Sequence, residues 1–284
     1  MNKKYFVNKL KNFDLWKSFE KDSPQSSIFS SIELLKHFKK NLDLYSINKG
    51  SELKSLVYLF KEKKNIISDP LIYSGMLFSP QKKQKNCRYL AEKFKLTEVF
   101  IEEILKKYSN IDLNLHYNFE DIRPFLWFNY NLSNKPKYIV NVRYTALIEI
   151  ENKTINEIFE NFDDVKQRDI KKCDKNVDIS FDNKTNIELL KKFYEQTMKK
   201  NKGEFSKNNL KKMVNFMKQA DNNDKGFQTN VYFKNKPVYS IFFSIHQKIA
   251  CFLYGAGETN HKDRLSGTYC LWKAIEYCQK KKIK

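Results

Sequence analysis

The stretch 227–254 reads FQTNVYFKNKPVYSIFFSIHQKIACFLY, and its pattern decides the fold class. Three runs rich in aromatic and β-branched residues alternate with two short polar turns, in the order 227–233, Asn235-Lys236, 238–246, Gln247-Lys248 and 249–254. Strand-like runs that are joined by two-residue turns predict an antiparallel meander. A glycine-containing loop and a helix from about 266 to 282 follow the meander. A meander that leads into a helix is an α+β arrangement.

Amphipathic helices and one short strand precede the meander. The spacing of apolar residues predicts helices at 154–162, 163–175, 187–199 and 207–220, and a strand at 177–181. Thr154 and Glu157 have the spacing of a capping box, which marks the beginning of the first of these helices. The second helix has acidic residues at its start and basic residues at its end, which suits the helix dipole.

The first half of the chain mixes helices and strands in a pattern that ends near Ile150. Helical periodicity covers 30–39 and 82–108, the latter as two helices with a break near Leu96-Thr97, and strand-like runs cover 56–60, 111–116 and 138–150. The helical pattern then restarts. We therefore expect two domains, one at 1–150 and one at 151–284.

The composition describes a basic protein with ample material for a core. The 53 lysines and arginines exceed the 33 acidic residues, so the formal net charge is +20, and 41% of the residues are hydrophobic. No apolar run approaches the roughly 20 residues that span a bilayer, and no secretory signal is recognisable, which predicts a cytoplasmic protein. The positive charge either coats a solvated surface or favours a polyanionic partner such as RNA, an acidic membrane surface or a phosphorylated substrate.

The five cysteines contain no CxxC pair. This spacing argues against a disulfide framework and against a metal site, so we expect no metal cofactor. Cys270 and Cys278 fall on the predicted last helix, where we expect ordinary buried thiols.

Arginine is rare in this lysine-rich chain. Four of the five arginines lie in compact motifs, at Arg123, Arg143, Arg168 and Arg264. The planar guanidinium binds carboxylates and phosphates through two parallel hydrogen bonds, which lysine cannot do. These four positions are therefore candidates for a geometric role.

The motifs around these arginines occur in a defined order. They are Asp121-Ile-Arg123-Pro-Phe-Leu-Trp127, Arg143-Tyr144-Thr145, Arg168-Asp-Ile-Lys-Lys172 and, after the meander, Leu271-Trp272-Lys-Ala-Ile275-Glu-Tyr277. This order resembles the FemAB-like branch of the GNAT acyltransferase superfamily over roughly residues 30–284. The resemblance implies two tandem GNAT-like folds, each with a mixed sheet flanked by helices. In similar proteins further strands follow the Trp272 helix, so the second copy is expected to be incomplete here.

The resemblance also implies a reaction. Similar proteins transfer an acyl or aminoacyl group to an amine of a cell-wall precursor or a surface-polysaccharide sugar, with acyl-CoA or aminoacyl-tRNA as donor. The expected function is such an N-acyltransferase, with a lipid-linked or small-molecule amine as acceptor and with tRNA and a peripheral membrane contact among its partners. The alternative is a non-catalytic, basic protein that uses the same fold to bind RNA or an acidic membrane precursor.

The expected binding site for the donor's phosphates is the entry to the last helix, at Arg264, Ser266, Gly267 and Thr268. Backbone amides at a helix amino terminus face outward, glycine allows a phosphate to approach them, and an arginine adds a charged hydrogen bond. The structural alternative is an ordinary helix entry with Ser266 as the cap. Tyr269 stands where a small residue is usual and is expected to crowd a CoA pyrophosphate, which keeps aminoacyl-tRNA open as the donor.

Acyl transfer to an amine needs a base that takes the amine proton and donors for the oxyanion. Glu258, Tyr254 and His261 follow the last strand and are the candidates for catalysis. The alternatives are a core position for Tyr254 and solvated loop positions for Glu258 and His261.

Five further residues are candidates for the acceptor cleft: Arg123, Trp127, Arg143, Tyr144 and Arg168. The structural alternative is an ion pair of Asp121 with Arg123 or Arg168 that locks an interdomain corner, with Phe125 and Trp127 in the core. Arg168 either meets an acceptor phosphate or lies on a solvated helix face.

Overall fold

The structure is a computed structural model that describes residues 4–68, 72–81, 85–200, 207–261 and 265–284, with the side chains of 207–209 left aside. The chain divides into two compact units, Met1–Ala146 and Leu147–Lys284. Among the described residues, no helix combines the length and apolarity that a bilayer crossing requires. Each unit is a sheet with helices packed against it.

The sheet of the first unit has strand order β1-β2-β3-β4-β6, and β5 pairs with β3. The strands are β1 Tyr5–Lys9, β2 Leu42–Lys49, β3 Glu52–Glu62, β4 Asn65–Ile66, β5 Gly75–Phe78 and β6 Asn110–Ile111. The helices are α1 Phe13–Glu20, α2 Ile32–Leu35, α3 Asn86–Val99 and α4 Arg123–Trp127. The β4–β6 pair is parallel and the other pairs are antiparallel, so this sheet is mixed, as the sequence led us to expect.

The predicted helix break near Leu96-Thr97 is wrong. Both residues lie inside α3, and the hydroxyl of Thr97 donates to the carbonyl O of Lys93 at 2.9 Å. This bond satisfies the polar group within the helix and removes the reason for a break. The regular helix ends at Val99 and continues as a π turn, Phe100–Ile104, whose buried side chains hold the wider turn against the core.

The predicted strands at 111–116 and 138–150 are also wrong. Only Asn110–Ile111 forms a strand in the first region, and the residues 138–150 pair with no described strand. Ile139 and Tyr144 in this extended stretch are 88% and 95% exposed. Alternating apolar residues specify a strand only where a neighbouring strand supplies hydrogen bonds and cross-strand contacts, and no such neighbour is described here.

A buried histidine makes the stability of the first unit depend on pH. The ring of His116 packs against those of Tyr73 and Tyr117, at centroid distances of 4.7 and 4.3 Å. Burial lowers the pKa of His116 to about 4. Between about pH 6.5 and pH 4, His116 is therefore protonated in the unfolded chain but neutral in the folded unit. The free energy of unfolding falls as the pH drops through this window.

We expect the unit to be about 2 kcal/mol less stable at pH 5 than at pH 7 because of His116. Urea unfolding of the protein and of His116→Asn at both pH values measures this difference. Asparagine does not titrate, and its Oδ1 can still accept the Asn118 N–H that the His116 Nδ1 accepts at 3.1 Å. The exposed His37 provides the control His37→Asn, which should keep the pH dependence of the parent. An equal loss of stability in His116→Asn would contradict the assignment.

The sheet of the second unit is an antiparallel meander with strand order β10-β9-β8-β7. Its strands are β7 Ile179–Asp182, β8 Gly226–Phe233, β9 Lys236–His246 and β10 Ile249–Gly257, and its helices are α5 Ile155–Glu160, α6 Asp164–Asp174, α7 Ile187–Lys200, α8 Lys207–Asn222 and α9 Leu265–Lys280. The predicted elements of this half are confirmed, including the capping box of Thr154 and Glu157. One sheet face and the inner sides of α5, α6 and α9 form a single apolar core.

The opposite face of this sheet carries α7 and α8 over a polar network. The fully buried Gln228 donates to the carbonyl O of Asn186 and to Ser240 Oγ, both at 2.8 Å, and accepts from the Asn186 N–H at 2.8 Å. Asn230 donates to Asp182 Oδ1 at 2.8 Å. Because these buried groups are hydrogen-bonded, the polar residues of β8 fit an otherwise apolar meander.

Candidate functional site

The last strand of the second sheet has an irregular edge. β10 pairs with β9 on one side, and no described strand pairs with its other side. The backbone N–H of Ala250 donates to the carbonyl O of Lys284, so the chain terminus touches only the start of this edge. The register with β9 shifts between Phe252 and Tyr254. A bulge of this kind leaves one residue unpaired and bends the strand. At this bend the backbone N–H and C=O groups of β10 could bind an extended ligand, as they do at other free strand edges.

Tyr239 of β9 brings the end of β10 next to the beginning of α9. A Cβ built on Gly257, the last residue of β10, would lie 2.6 Å from the Tyr239 ring. A Cβ built on Gly267, in the first turn of α9, would lie 3.2 Å from the same ring. The ring therefore fits between two glycine backbones. Burial raises the pKa of Tyr239, so its hydroxyl remains a proton donor at neutral pH.

The predicted phosphate-binding residues lie at the beginning of α9, with one exception. Ser266 is buried in the first turn, and Gly267 and Thr268 beside it are half-buried. Helix amino termini favour anions in general, because their first backbone N–H groups have no partner within the helix. Arg264 lies outside the described residues.

Tyr269 does not crowd this turn, contrary to the sequence-based expectation. Its ring is buried, and its hydroxyl donates to Asp174 Oδ1 of α6 at 2.9 Å. The ammonium of Lys273 lies 4.9 Å from the ring centroid and 3.0 Å from the same carboxylate oxygen. These contacts turn Tyr269 toward the helices, so its size is no argument against a CoA pyrophosphate.

The three candidates for catalysis lie along the end of β10 and the turn that follows it. The backbone N–H of Glu258 donates to the carbonyl O of Val238 at 2.9 Å, and its carboxylate accepts from the Asn260 N–H at 3.2 Å. The backbone N–H of His261 donates to the carbonyl O of Glu258 at 3.1 Å, and its ring lies 5.5 Å from that of Phe233. Tyr254 packs edge-on against Tyr194 of α7 at 6.3 Å. Glu258 and His261 therefore share one turn, and Tyr254 precedes it on the strand.

Gln196 of α7 is a residue that sequence reasoning missed. Its Oε1 is buried and has no hydrogen-bond partner among the described residues. Such an unpaired buried acceptor is rare in folded proteins. The same helix packs against β10, and Lys200 near its end donates to the carbonyl O of Thr259 at 3.2 Å. A glutamine in an amphipathic helix resembles any solvated position in sequence, so no pattern could identify it.

The residues predicted for the acceptor cleft are distributed over both units. In the first unit Arg123 forms two hydrogen bonds to Asp121, at 2.8 and 2.6 Å, and its guanidinium lies 5.6 Å from the Trp127 ring centroid. This pair lowers the pKa of Asp121. The Asp121–Arg123 pair and the buried Phe125 agree with the structural alternative, whereas Trp127 is 58% exposed and does not lie in the core.

The other predicted cleft residues are not involved in comparable contacts. Arg143 and Tyr144 lie in the exposed, unpaired stretch that ends the first unit. Arg168 is exposed on α6 in the second unit. The acceptor cleft thus stays a prediction for these residues.

The two cysteines of α9 behave as small apolar residues. Cys270 and Cys278 of α9 are buried, as expected, and burial raises the pKa of the Cys278 thiol to about 12. The thiol of Cys270 donates to the carbonyl O of Thr229 at 3.2 Å. Within the described ranges, no group of three His, Cys, Asp or Glu side chains is placed to hold a metal ion.

Comparison with solved structures identifies the fold. The crystal structure of FemX matches with a TM-score of 0.59 at 11% identity. The match covers 96% of this chain and 86% of the FemX chain. A conserved protein of unknown function from Bacteroides thetaiotaomicron VPI-5482 matches with a TM-score of 0.52 at 11% identity. This match covers 94% of this chain and 82% of that protein's chain. A tandem GNAT protein from the clavulanic acid biosynthesis pathway reaches 0.48 at 9% identity. No family model and no curated protein matches the sequence.

These similarities define a class of fold. The chain shares the fold of FemX, and in this chain two α+β units follow one another, each with helices packed against its sheet. The structural similarity to FemX extends over nearly the whole chain.

Proposed function

We propose that the protein transfers an acyl or aminoacyl group from an activated donor to an amine, with acyl-CoA or aminoacyl-tRNA as the donor. The acceptor is an amino sugar or another precursor of a cell-surface polymer. The observation that carries this proposal is the bulged edge of β10, which ends beside the first turn of α9 at Tyr239. This combination suits an acyl donor, because such a donor presents a carbonyl and a phosphate group some distance apart.

The first turn of α9 supplies the site for the donor's phosphates in this proposal. Ser266, Gly267 and Thr268 lie at the positive end of the helix dipole, which favours the negative charge of a phosphate. Arg264 adds a charged hydrogen bond. The body of the donor then lies along the edge of β10, and a backbone N–H near the bulge donates to the carbonyl oxygen, where negative charge develops.

The amine nitrogen attacks the carbonyl carbon of the bound thioester or ester directly. Glu258 accepts the proton that the amine nitrogen loses as the new C–N bond forms. The tetrahedral intermediate then expels the thiolate or alkoxide, which takes a proton from Tyr254 or from His261. The products are an amide and the free thiol or hydroxyl, and no covalent intermediate forms on the protein.

In this proposal Arg168, which lies in the same unit as Glu258, binds a phosphate of the acceptor, and Arg123, Arg143 and Tyr144 stay predictions from the sequence. Arginine side chains suit the phosphates of an activated or lipid-linked sugar. The excess of positive charge supports the approach of such polyanions, and of a tRNA donor, by long-range attraction. A peripheral contact with an anionic membrane would bring the protein to a lipid-linked acceptor.

Replacing the proposed base gives a direct test. Glu258→Gln should lower kcat by about 10²–10⁴-fold, because the amide cannot accept the proton. The rate of CoA release from acetyl-CoA with glucosamine, or of deacylation of alanyl-tRNA, measures the effect. The variant should keep the rise in unfolding temperature that the donor produces, since Glu258 does not bind the donor's phosphates.

Glu160→Gln is the matched control, because Glu160 is exposed at the end of α5 and lies outside the site. Its rate should equal that of the parent. A Glu258→Gln variant with the parent rate would remove Glu258 from the mechanism. If neither donor stabilises the parent protein, while RNA binds it with a steep dependence on salt, the enzyme proposal is wrong and the protein is a polyanion-binding module.

A further inference from the structure

The end of α4 and the loop that follows it, residues 126–137 of the first unit, expose an unusual set of side chains. Leu126, Trp127, Tyr130 and Leu132 are 46%, 58%, 69% and 50% exposed, respectively. Large apolar residues that are exposed singly need no explanation, but four within seven positions form a patch. We call residues 126–137 the Trp127 loop.

The backbone of the Trp127 loop is hydrogen-bonded within itself. The N–H groups of Tyr130 and Leu132 donate to the carbonyl O atoms of Trp127 and Asn129, at 3.1 and 3.0 Å. The side chain of Asn129 donates to the carbonyl O of Pro136 at 2.8 Å, which ties the two ends of the loop together. Because these backbone groups are paired, the apolar side chains of the loop can enter a bilayer without exposing these groups unpaired to lipid.

The Trp127 loop is held rigidly on the unit. The Trp127 ring lies 5.5 Å from the ring of Phe94, and the guanidinium of Arg123 lies over both rings. Tyr138, just beyond the loop, packs on Phe125 at 5.2 Å and on Phe128 at 5.4 Å. One side of the loop is thus anchored in the core of the unit, and the other side faces solvent.

The sequence that forms and follows this patch is basic. Residues 122–148 contain four basic residues and no acidic residue. Asp121 neutralises Arg123, whereas Lys135 and Lys137 form no ion pair with a described carboxylate. Lys137 instead donates to the carbonyl O of Tyr130 at 3.0 Å, so its ammonium lies beside the exposed aromatic ring.

We infer that the Trp127 loop is a membrane-docking surface that inserts into the headgroup region of an anionic bilayer. Tryptophan and tyrosine prefer the membrane interface, leucine enters the acyl boundary, and lysines beside them attract anionic lipid. This inference rests on the proposed function in one respect, because it locates the peripheral membrane contact included there. Lipid binding is measured without donor or acceptor, so either proposal can fail alone.

Other occupants fit the loop less well. Single-stranded RNA uses aromatic rings as stacking platforms, but Leu126 and Leu132 cannot stack on bases. A stable contact with a second copy needs roughly 20–30 residues on each side, which is more than the Trp127 loop supplies. Binding to a lipid surface requires neither stacking side chains at every position nor an interface of that size.

Trp127 itself reports on the inference. Trp16 and Trp272 are buried, so a change in tryptophan emission on adding lipid comes from Trp127. With vesicles of phosphatidylglycerol and phosphatidylcholine we expect a blue shift, and quenching when the acyl chains are brominated. Vesicles of phosphatidylcholine alone should give a much weaker response. Because a chain with this much positive charge can adsorb to anionic vesicles through any lysine, quenching by the acyl chains is the decisive signal.

The double variant Leu126→Ser/Leu132→Ser should weaken vesicle binding by about tenfold or more, since it removes two apolar side chains from the inserted face. Val177→Ser/Ile249→Ser is the matched control, because both residues are exposed apolar positions in the second unit. It should bind as the parent does.

Three outcomes would overturn the inference. One is vesicle binding without a shift or acyl-chain quenching of Trp127 emission. Another is equal vesicle binding by the two double variants. The third is a blue shift of Trp127 emission that self-association or single-stranded RNA produces without lipid, together with competition between that interaction and vesicle binding.

Discussion

In Gly267→Val, acetyl-CoA should no longer raise the unfolding temperature of the protein. The parent protein should gain about 2.7 kcal/mol at a donor concentration roughly 100 times its Kd, which corresponds to about 5–10 °C. The valine side chain would stand at the first turn of α9, where a Cβ already comes within 3.2 Å of the Tyr239 ring. Because the valine side chain points at this ring, either the ring or the first turn of α9 must shift, which misplaces the amides that bind the phosphate in this proposal, so the gain should vanish.

Two further variants separate this effect from damage to the fold. Gly267→Ala adds only the Cβ and should retain part of the donor response. Arg264→Ala removes the proposed charged partner of the phosphates, so it should abolish or strongly reduce the response. If Gly267→Val responds to acetyl-CoA as the parent does, the first turn of α9 is not the site for the donor's phosphates.

In Trp272→Ala, the free energy of unfolding of the second unit should fall by about 3–5 kcal/mol. Trp272 is 5% exposed, and its ring meets those of Phe159 and Phe162 at centroid distances of 5.3 and 5.8 Å. Truncation would leave a cavity between α9 and the segment that begins with α5. Thermal unfolding followed by circular dichroism should show a decrease of roughly 6–20 °C.

Trp127→Ala is the matched control for this substitution. The same ring is removed, but Trp127 is 58% exposed and most of its surface is already in water. We expect a loss below about 1 kcal/mol. Equal losses in the two variants would show that the burial of Trp272 does not hold α9 in place.

The second half of the chain could largely be predicted from the sequence because local signals fix it. Thr154 and Asp163 accept hydrogen bonds from backbone N–H groups at the start of α5 and α6, and residues of these types read as caps in the sequence. The turn at Gln247-Lys248 has positive φ angles of 48° and 67°, as the predicted hairpin requires. The first hairpin turn lies one residue earlier than predicted, at Lys234-Asn235, where φ is 47° and 61°.

The first half was predicted less well because its strands depend on distant partners. β2 pairs with β1 and β3, and β1 is separated from β2 by α1 and α2. The residues 138–150 alternate as a strand should, and yet they pair with no described strand. A period of two describes a side-chain pattern, whereas a strand also needs a hydrogen-bonding neighbour.

For the candidate site, the sequence determined the types of chemistry but not their arrangement. It provided the acidic, aromatic and glycine residues between Tyr254 and Thr268, because a strand, a loop and a helix start are local features. Only the tertiary structure decided that Tyr239 lies against both Gly257 and Gly267, that Tyr269 turns toward Asp174, and that Trp127 faces solvent. These outcomes depend on contacts between residues far apart in the chain, and periodicity carries no information about such contacts.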